Sequence, residues 1–135
     1  FNLENIIWNL DTKRVYLVEV HRSSYGDYGQ DVAVFLVSNF RVPIFSRDIR
    51  RRLNAANERM FDSALAFARA SGDKTFEARL GRGLFRSMIT STRFLFDKQF
   101  SADMFYRGTL ILRELLNARD DPESFTLRRE YFLYE

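Results

Sequence analysis

The stretch RVYLVEVHRSSYGDYGQDVAVFLV, Arg14 to Val37, decides the fold. Its first part alternates. Tyr16, Val18 and Val20 fall on one side of an extended chain, and Val15, Leu17, Glu19 and His21 on the other, the period-two pattern of a strand. SSYGDYGQ then carries two Gly, two Ser and an Asp, which is turn chemistry. DVAVFLVS follows, apolar on both faces, as expected of a central or covered strand. The stretch predicts a long antiparallel hairpin with strands over 14–22 and 31–38.

Upstream, FNLENIIWNLDTK mixes two signals. Leu3, Ile6, Ile7 and Leu10 have helical spacing, while IIW before the turn-like NLDTK suits a strand. The segment is expected to be a third strand or an extended arm.

Downstream the period changes to that of helices. Ser46 is a candidate N-cap with Asp48 in the first turn. Ile49, Leu53, Ala56, Met60, Ala64 and Phe67 follow at spacings of three and four, up to a stop at Gly72. Phe76, Leu80, Leu84 and Met88 mark a second helix, where Gly81 and Gly83 permit close approach, and a break is expected near Thr90–Thr92. Ser101 and Asp103 open a third helix with two apolar stripes, Met104–Gly108–Ile111–Leu115 and Phe105–Leu112–Leu116. Its wide apolar face predicts a central position. Asp121 and Pro122 are placed to start a fourth helix through the aromatic tail, whose end YFLY also suits a strand. The expected fold is α+β: an N-terminal antiparallel β-hairpin, with a third strand if the upstream segment joins it, packed against three to four α-helices. It is one domain over 1–135, with a hairpin portion over 1–40 and a helical portion over 46–135.

The composition is globular, 46% hydrophobic and 29% charged, over a length that suits one core. Without Cys there is no disulfide scaffold and no thiolate metal site. That absence is compatible with an intracellular, reducing compartment. No apolar run approaches the roughly 18 to 20 residues that cross a bilayer. The chain begins at Phe1 rather than Met, as expected of a processed product or a segment of a longer chain. Of the 21 basic residues 18 are Arg, a bias that suits phosphate contact or a protein interface.

Two surfaces stand out. Arg41, Arg47, Arg50, Arg51, Arg52 and Arg59 crowd into FRVPIFSRDIRRRLNAANER. Three successive Arg fan over about 200° of a helix, at about 100° per residue. Arg79, Arg82, Arg86 and Arg93 line the next helix. One positive surface results if both helices present these outward, and Tyr25 and Tyr28 of the turn would stack on bases. Local ion pairs, Arg51 with Asp48 or Glu58 and Arg59 with Asp62, are the competing reading. The second surface is aromatic: Phe94, Phe96, Phe125, Tyr131, Phe132 and Tyr134 gather in the last third, and Arg with aromatics is what interface cores favour.

Catalytic chemistry is poorly represented. With one His and no Cys, a thiol nucleophile is excluded. Neither a Walker A loop nor Gly-x-Ser-x-Gly occurs. YLVEVHRS, Tyr16 to Ser23, resembles the strand of the PD-(D/E)xK nucleases that carries an acid and, two residues on, a Lys. The resemblance implies metal-dependent phosphodiester cleavage, with Asp11 and Glu19 as metal-binding carboxylates and His21 in the place of the Lys. The chain departs from that pattern in lacking both the Lys and an upstream Pro-Asp.

These readings lead first to a non-enzymatic assembly subunit that needs no cofactor. It would dock onto a protein partner or another copy through Arg and aromatic surfaces. An Arg-rich nucleic-acid-binding protein is the alternative, and the nuclease is third.

Overall fold

The computed structural model describes residues 2–22 and 24–134. The chain is α+β. A two-stranded antiparallel hairpin, β1 (Ile6–Asn9) and β2 (Arg14–Leu17), is followed by four α-helices: α1 (Tyr28–Phe40), α2 (Arg47–Ala70), α3 (Phe76–Ser91) and α4 (Lys98–Asn117). No helix among the described residues is long and apolar enough to cross a membrane.

The hairpin is not the one expected. β1 pairs with β2, Ile6 opposite Leu17 and Trp8 opposite Val15. The turn is local. Asn9 Oδ1 accepts the backbone N–H groups of Asp11 and Thr12 at 3.0 and 2.8 Å, and Lys13 takes a positive φ of 54°. This is an Asx-type reversal. The sheet has two strands among the described residues, so no third strand is added.

Residues 31–38 are helical, and the helical part of the chain begins at Tyr28 rather than 46. A short apolar run does not by itself separate a strand from a buried helix. Here Asp27 Oδ1 caps α1 by accepting the Gly29 N–H at 2.9 Å, and Asp31 lies in the first turn. The buried positions Gly29, Val32, Ala33, Leu36, Val37 and Phe40 then follow a helical period. α1 packs against both α2 and α3, so its β-branched residues are covered from two sides, and burial overrides their strand preference. Gly83 of α3 makes this contact close: a Cβ there would lie 2.7 Å from that of Ala33.

α2 starts after Ser46 as expected, and Gly72 follows it with φ +71°. Its inward line is rotated from the expected one. Arg50, Asn57, Phe61, Ala64 and Ala68 are buried, while Ile49 and Phe67 are exposed. α3 ends in a 3-10 turn at Thr92–Phe94 and packs on α4. α4 begins earlier than the Ser101 cap predicts, because Asp97 accepts the Phe100 N–H at 2.9 Å. After α4 no fourth predicted helix forms. The tail is an irregular segment with 3-10 turns at Pro122–Ser124 and Arg129–Tyr131.

The tail is held by side chains instead of by its own ladder. Asn57 Nδ2 donates to the carbonyls of Leu36 and Phe132 at 3.1 and 2.9 Å, and its Oδ1 accepts from Asn39 Nδ2 at 2.9 Å. Asn54 pairs with both backbone groups of Tyr134, at 2.7 and 3.0 Å. Glu77 accepts the Leu127 N–H at 2.8 Å, and Arg107 donates to the carbonyls of Glu130 and Leu133. Buried backbone groups need partners, and the inward Asn residues of α2 supply them.

Candidate functional site

The hairpin carries a group of exposed apolar side chains. Successive side chains of a strand point to opposite faces. The register therefore puts Trp8 and Val15 together on one face and Ile7 and Tyr16 on the other. Ile7, Trp8, Leu10, Val15, Tyr16 and Leu17 are each between 46% and 70% exposed. Neither face is covered, and the outer edges of both strands are unpaired among the described residues. The hairpin is tied to the helices beside it: the Leu3 N–H donates to Ser38 Oγ at 3.1 Å, and Glu4 pairs with Arg41 at 3.3 Å. None of these apolar hairpin residues was singled out as a site in the sequence. The signal was present as two apolar runs, IIW and RVYL, around NLDTK.

The aromatic residues expected at an interface divide. Phe125, Tyr131 and Phe132 are in the core, against the expectation of an outward tail. Tyr131 donates to Glu114 Oε1 at 2.7 Å, and burial, reinforced by that carboxylate, raises its pKa to about 12. Tyr134 is half-buried against Phe40, Phe45 and Phe100. Phe94 and Phe96 do face outward. They border a cleft of about 890 Å³ that also touches Phe45 and Phe100.

The arginines divide as well. Arg50 is buried. Its guanidinium donates to the carbonyls of Phe40, at 2.8 Å, and Val42, and stands 4.5 Å from the Tyr134 ring centre. Burial lowers its pKa. It fastens the segment between α1 and α2 and is turned away from any phosphate. Arg41 is occupied by Glu4, and Arg51 by Asp48 at 3.5 Å. Asp62 pairs with Arg129 at 2.6 Å and not with Arg59. Arg47, Arg52 and Arg59 are thus exposed without an ion-pair partner among the described residues. Arg52 and Arg59 line an open groove of about 640 Å³ beside Phe35 and Met60. Arg82 and Arg86 lie in a different groove, between α3 and α4, so the basic residues of the two helices do not share one cleft.

Tyr25 is fully exposed. Tyr28 is not available to stack on a base: it stacks on Phe76 at 5.3 Å and donates to Asp73 Oδ2 at 2.6 Å. Burial and that carboxylate raise its pKa to about 12. Arg79 lies at the centre of this cluster, bound to Asp27 at 2.7 Å and to Asp73 at 2.8 Å. The Arg79 hydrogen bonds hold both carboxyls below the ordinary range and raise the pKa of Arg79. The cluster joins the start of α1 to the turn between α2 and α3, which is a structural clamp.

Asp11, Glu19 and His21 are exposed and do not form the expected strand motif. β2 ends at Leu17, Glu19 has φ +58°, and His21 lies in a 3-10 turn at Val20–Arg22. The alternation that would aim an acid and a base from one strand face is broken between them. Among the described residues no group of three His, Asp or Glu is arranged to hold a metal ion. Compared with protein-family models, with curated proteins and with solved structures, the chain has no significant match in any of the three.

Proposed function

We propose that this chain is a non-enzymatic assembly module whose principal docking element is the β1–β2 hairpin. One observation carries the reading: apolar side chains cover both faces of a two-stranded sheet and remain open to solvent. Isolated hairpins are marginal in water, contiguous apolar patches mark interaction sites, and unpaired edges are templates for another strand. A partner that covers the hairpin resolves all three at once.

Trp8 is the only Trp in the chain and belongs to this patch, so the protein carries its own reporter. Light scattering over a concentration series, with Trp emission read on the same samples, tests self-association. A rising mass with a blue-shifted emission is expected. A photoreactive residue at position 8, against one at exposed Arg69, tests a different partner. Absence of assembly in the first measurement, together with no adduct preference for position 8, would overturn the reading.

A second reading has its own support. Arg47, Arg52 and Arg59 have no acidic partner among the described residues, which suits a phosphate backbone. Binding to single-stranded and duplex nucleic acid should then fall linearly on a log–log salt plot. It should also vanish in Arg52→Glu/Arg59→Glu. Affinity that is independent of salt or of these residues would remove the alternative.

A further inference from the structure

The helix α4 has two apolar stripes, and only one is covered. Met104, Gly108 and Ile111 face the core. The other line, Ala102, Phe105, Thr109, Leu112 and Leu116, advances by three, four, three and four residues. Phe105 and Leu116 on it are 55% and 57% exposed, and Leu112 is half-buried. That spacing averages 3.5 residues, the seam spacing of one helix packed along another. The line runs about 21 Å at about 1.5 Å per residue, or some four turns.

At the C-terminal end of the stripe, Leu112, Leu115 and Leu116 meet Phe85 of α3 across a groove of about 550 Å³, with Phe125 also in its wall. The rims are basic. Arg82 and Arg86 of α3 line the groove on one side, and Arg113 follows Leu112 on the other flank of α4. All three are exposed and without an ion-pair partner among the described residues; Arg119, at the end, touches Asp120 at 3.4 Å. An apolar seam between basic rims does not suit another copy of the same face, which would set Arg against Arg. It suits the reverse pattern.

We infer that the α3–α4 face binds an amphipathic helix with apolar residues at three-four spacing flanked by Asp or Glu. The apolar side chains enter the seam, and the flanking carboxylates reach Arg82, Arg86 and Arg113, in the helix-in-groove mode of recognition. This rests on the assembly reading for its general sense but uses none of the hairpin. It assigns the chain a second partner-facing surface with a defined partner chemistry.

The test uses the intact protein and a fluorescent three-heptad peptide with Leu at the seam positions and Glu at the flanks, kept below its own dimerisation concentration. A Lys-flanked twin and a scrambled peptide serve as comparisons, with fluorescence anisotropy as the readout. The Glu-flanked peptide should bind and weaken as salt rises. Leu116→Glu should reduce affinity at least about tenfold, as a buried anchor does. Arg82→Glu/Arg86→Glu should move the preference towards the Lys-flanked twin. Both variants change exposed side chains, and their unfolding curves should match the parent. Trp8→Ser should leave peptide binding unchanged, which keeps a failure here distinct from a failure of the hairpin reading. Equal binding of the Glu and Lys peptides, binding indifferent to Leu116→Glu, or no binding would overturn the inference. So would a self-associated mass that Leu116→Glu abolishes without peptide, or sedimentation with anionic vesicles that Arg82→Glu/Arg86→Glu abolishes.

Discussion

The C-terminal tail and the N-terminal hairpin are similar in kind and opposite in fate. Both are short, apolar segments at the ends of the chain that form no α-helix. The tail buries Phe125, Leu127, Tyr131 and Phe132. The hairpin leaves Ile7, Trp8, Val15 and Tyr16 in water. Apolar content does not separate them; the supply of partners for the backbone does. The tail runs beside Asn54, Asn57, Glu77 and Arg107, whose side chains satisfy its N–H and C=O groups. Its rings can then enter the core without stranding polar atoms. The hairpin satisfies its inner edge by its own pairing and offers both faces and both outer edges outward. One segment completes the fold, and the other keeps its apolar side chains at the surface.

Four measurements would break or sharpen that contrast. The largest effect is expected at Phe132, fully buried against Phe61 at 5.2 Å. Phe132→Ala should cost about 3–5 kcal/mol in urea unfolding, and a loss under about 1 kcal/mol would mean that the tail is not core. Asn57→Ala comes next. It leaves the carbonyl of Phe132 and the amide of Asn39 without their Asn57 partner, at about 1–3 kcal/mol for an unsatisfied buried group. A neutral result would show that water replaces the Asn and that the tail needs no side-chain ladder.

A smaller effect is expected from acid. The folded pKa values of Asp73 and Asp27 are lowered by Arg79. Their contribution is therefore complete above the unfolded carboxyl value of about 3.9. It declines as pH falls from there through the folded values. Asp73→Asn should be less stable than the parent at neutral pH and should show a shallower acid loss below about pH 4. Parallel acid limbs would mean that the clamp contributes nothing. The smallest effect on stability is expected at the hairpin: Trp8→Ser should change unfolding by no more than about 0.5 kcal/mol, as at other exposed sites. A large loss would place the hairpin among the supports of the fold and remove its role as a free docking element.

The local signals proved readable where the decision was local. Ser46 and Gly72 bracket α2, and Phe76, Leu80, Leu84 and Met88 line the inner side of α3. The inward line of α2 was less legible. Apolar periodicity favours Ile49 and Phe67, whereas the buried line contains Arg50 and Asn57. Polar residues there make sense only once the carbonyls they serve are in place. The candidate arginines show the same division: Arg50 and Arg52 are two positions apart in one run, yet one is a core fastener and the other lines an open groove.

Local sequence therefore settled the α+β class, the extents of α2 and α3 and the existence of an N-terminal hairpin. Caps, turns and short periodicities act over a few residues and need no distant partner. Tertiary structure alone decided that Tyr28–Phe40 is helical and that the aromatic tail turns inward. Those outcomes depend on burial against α2 and α3 and on hydrogen-bond partners as far away as Asn57 is from Phe132. The free energy of such contacts belongs to the assembled fold, and no window of the chain contains it.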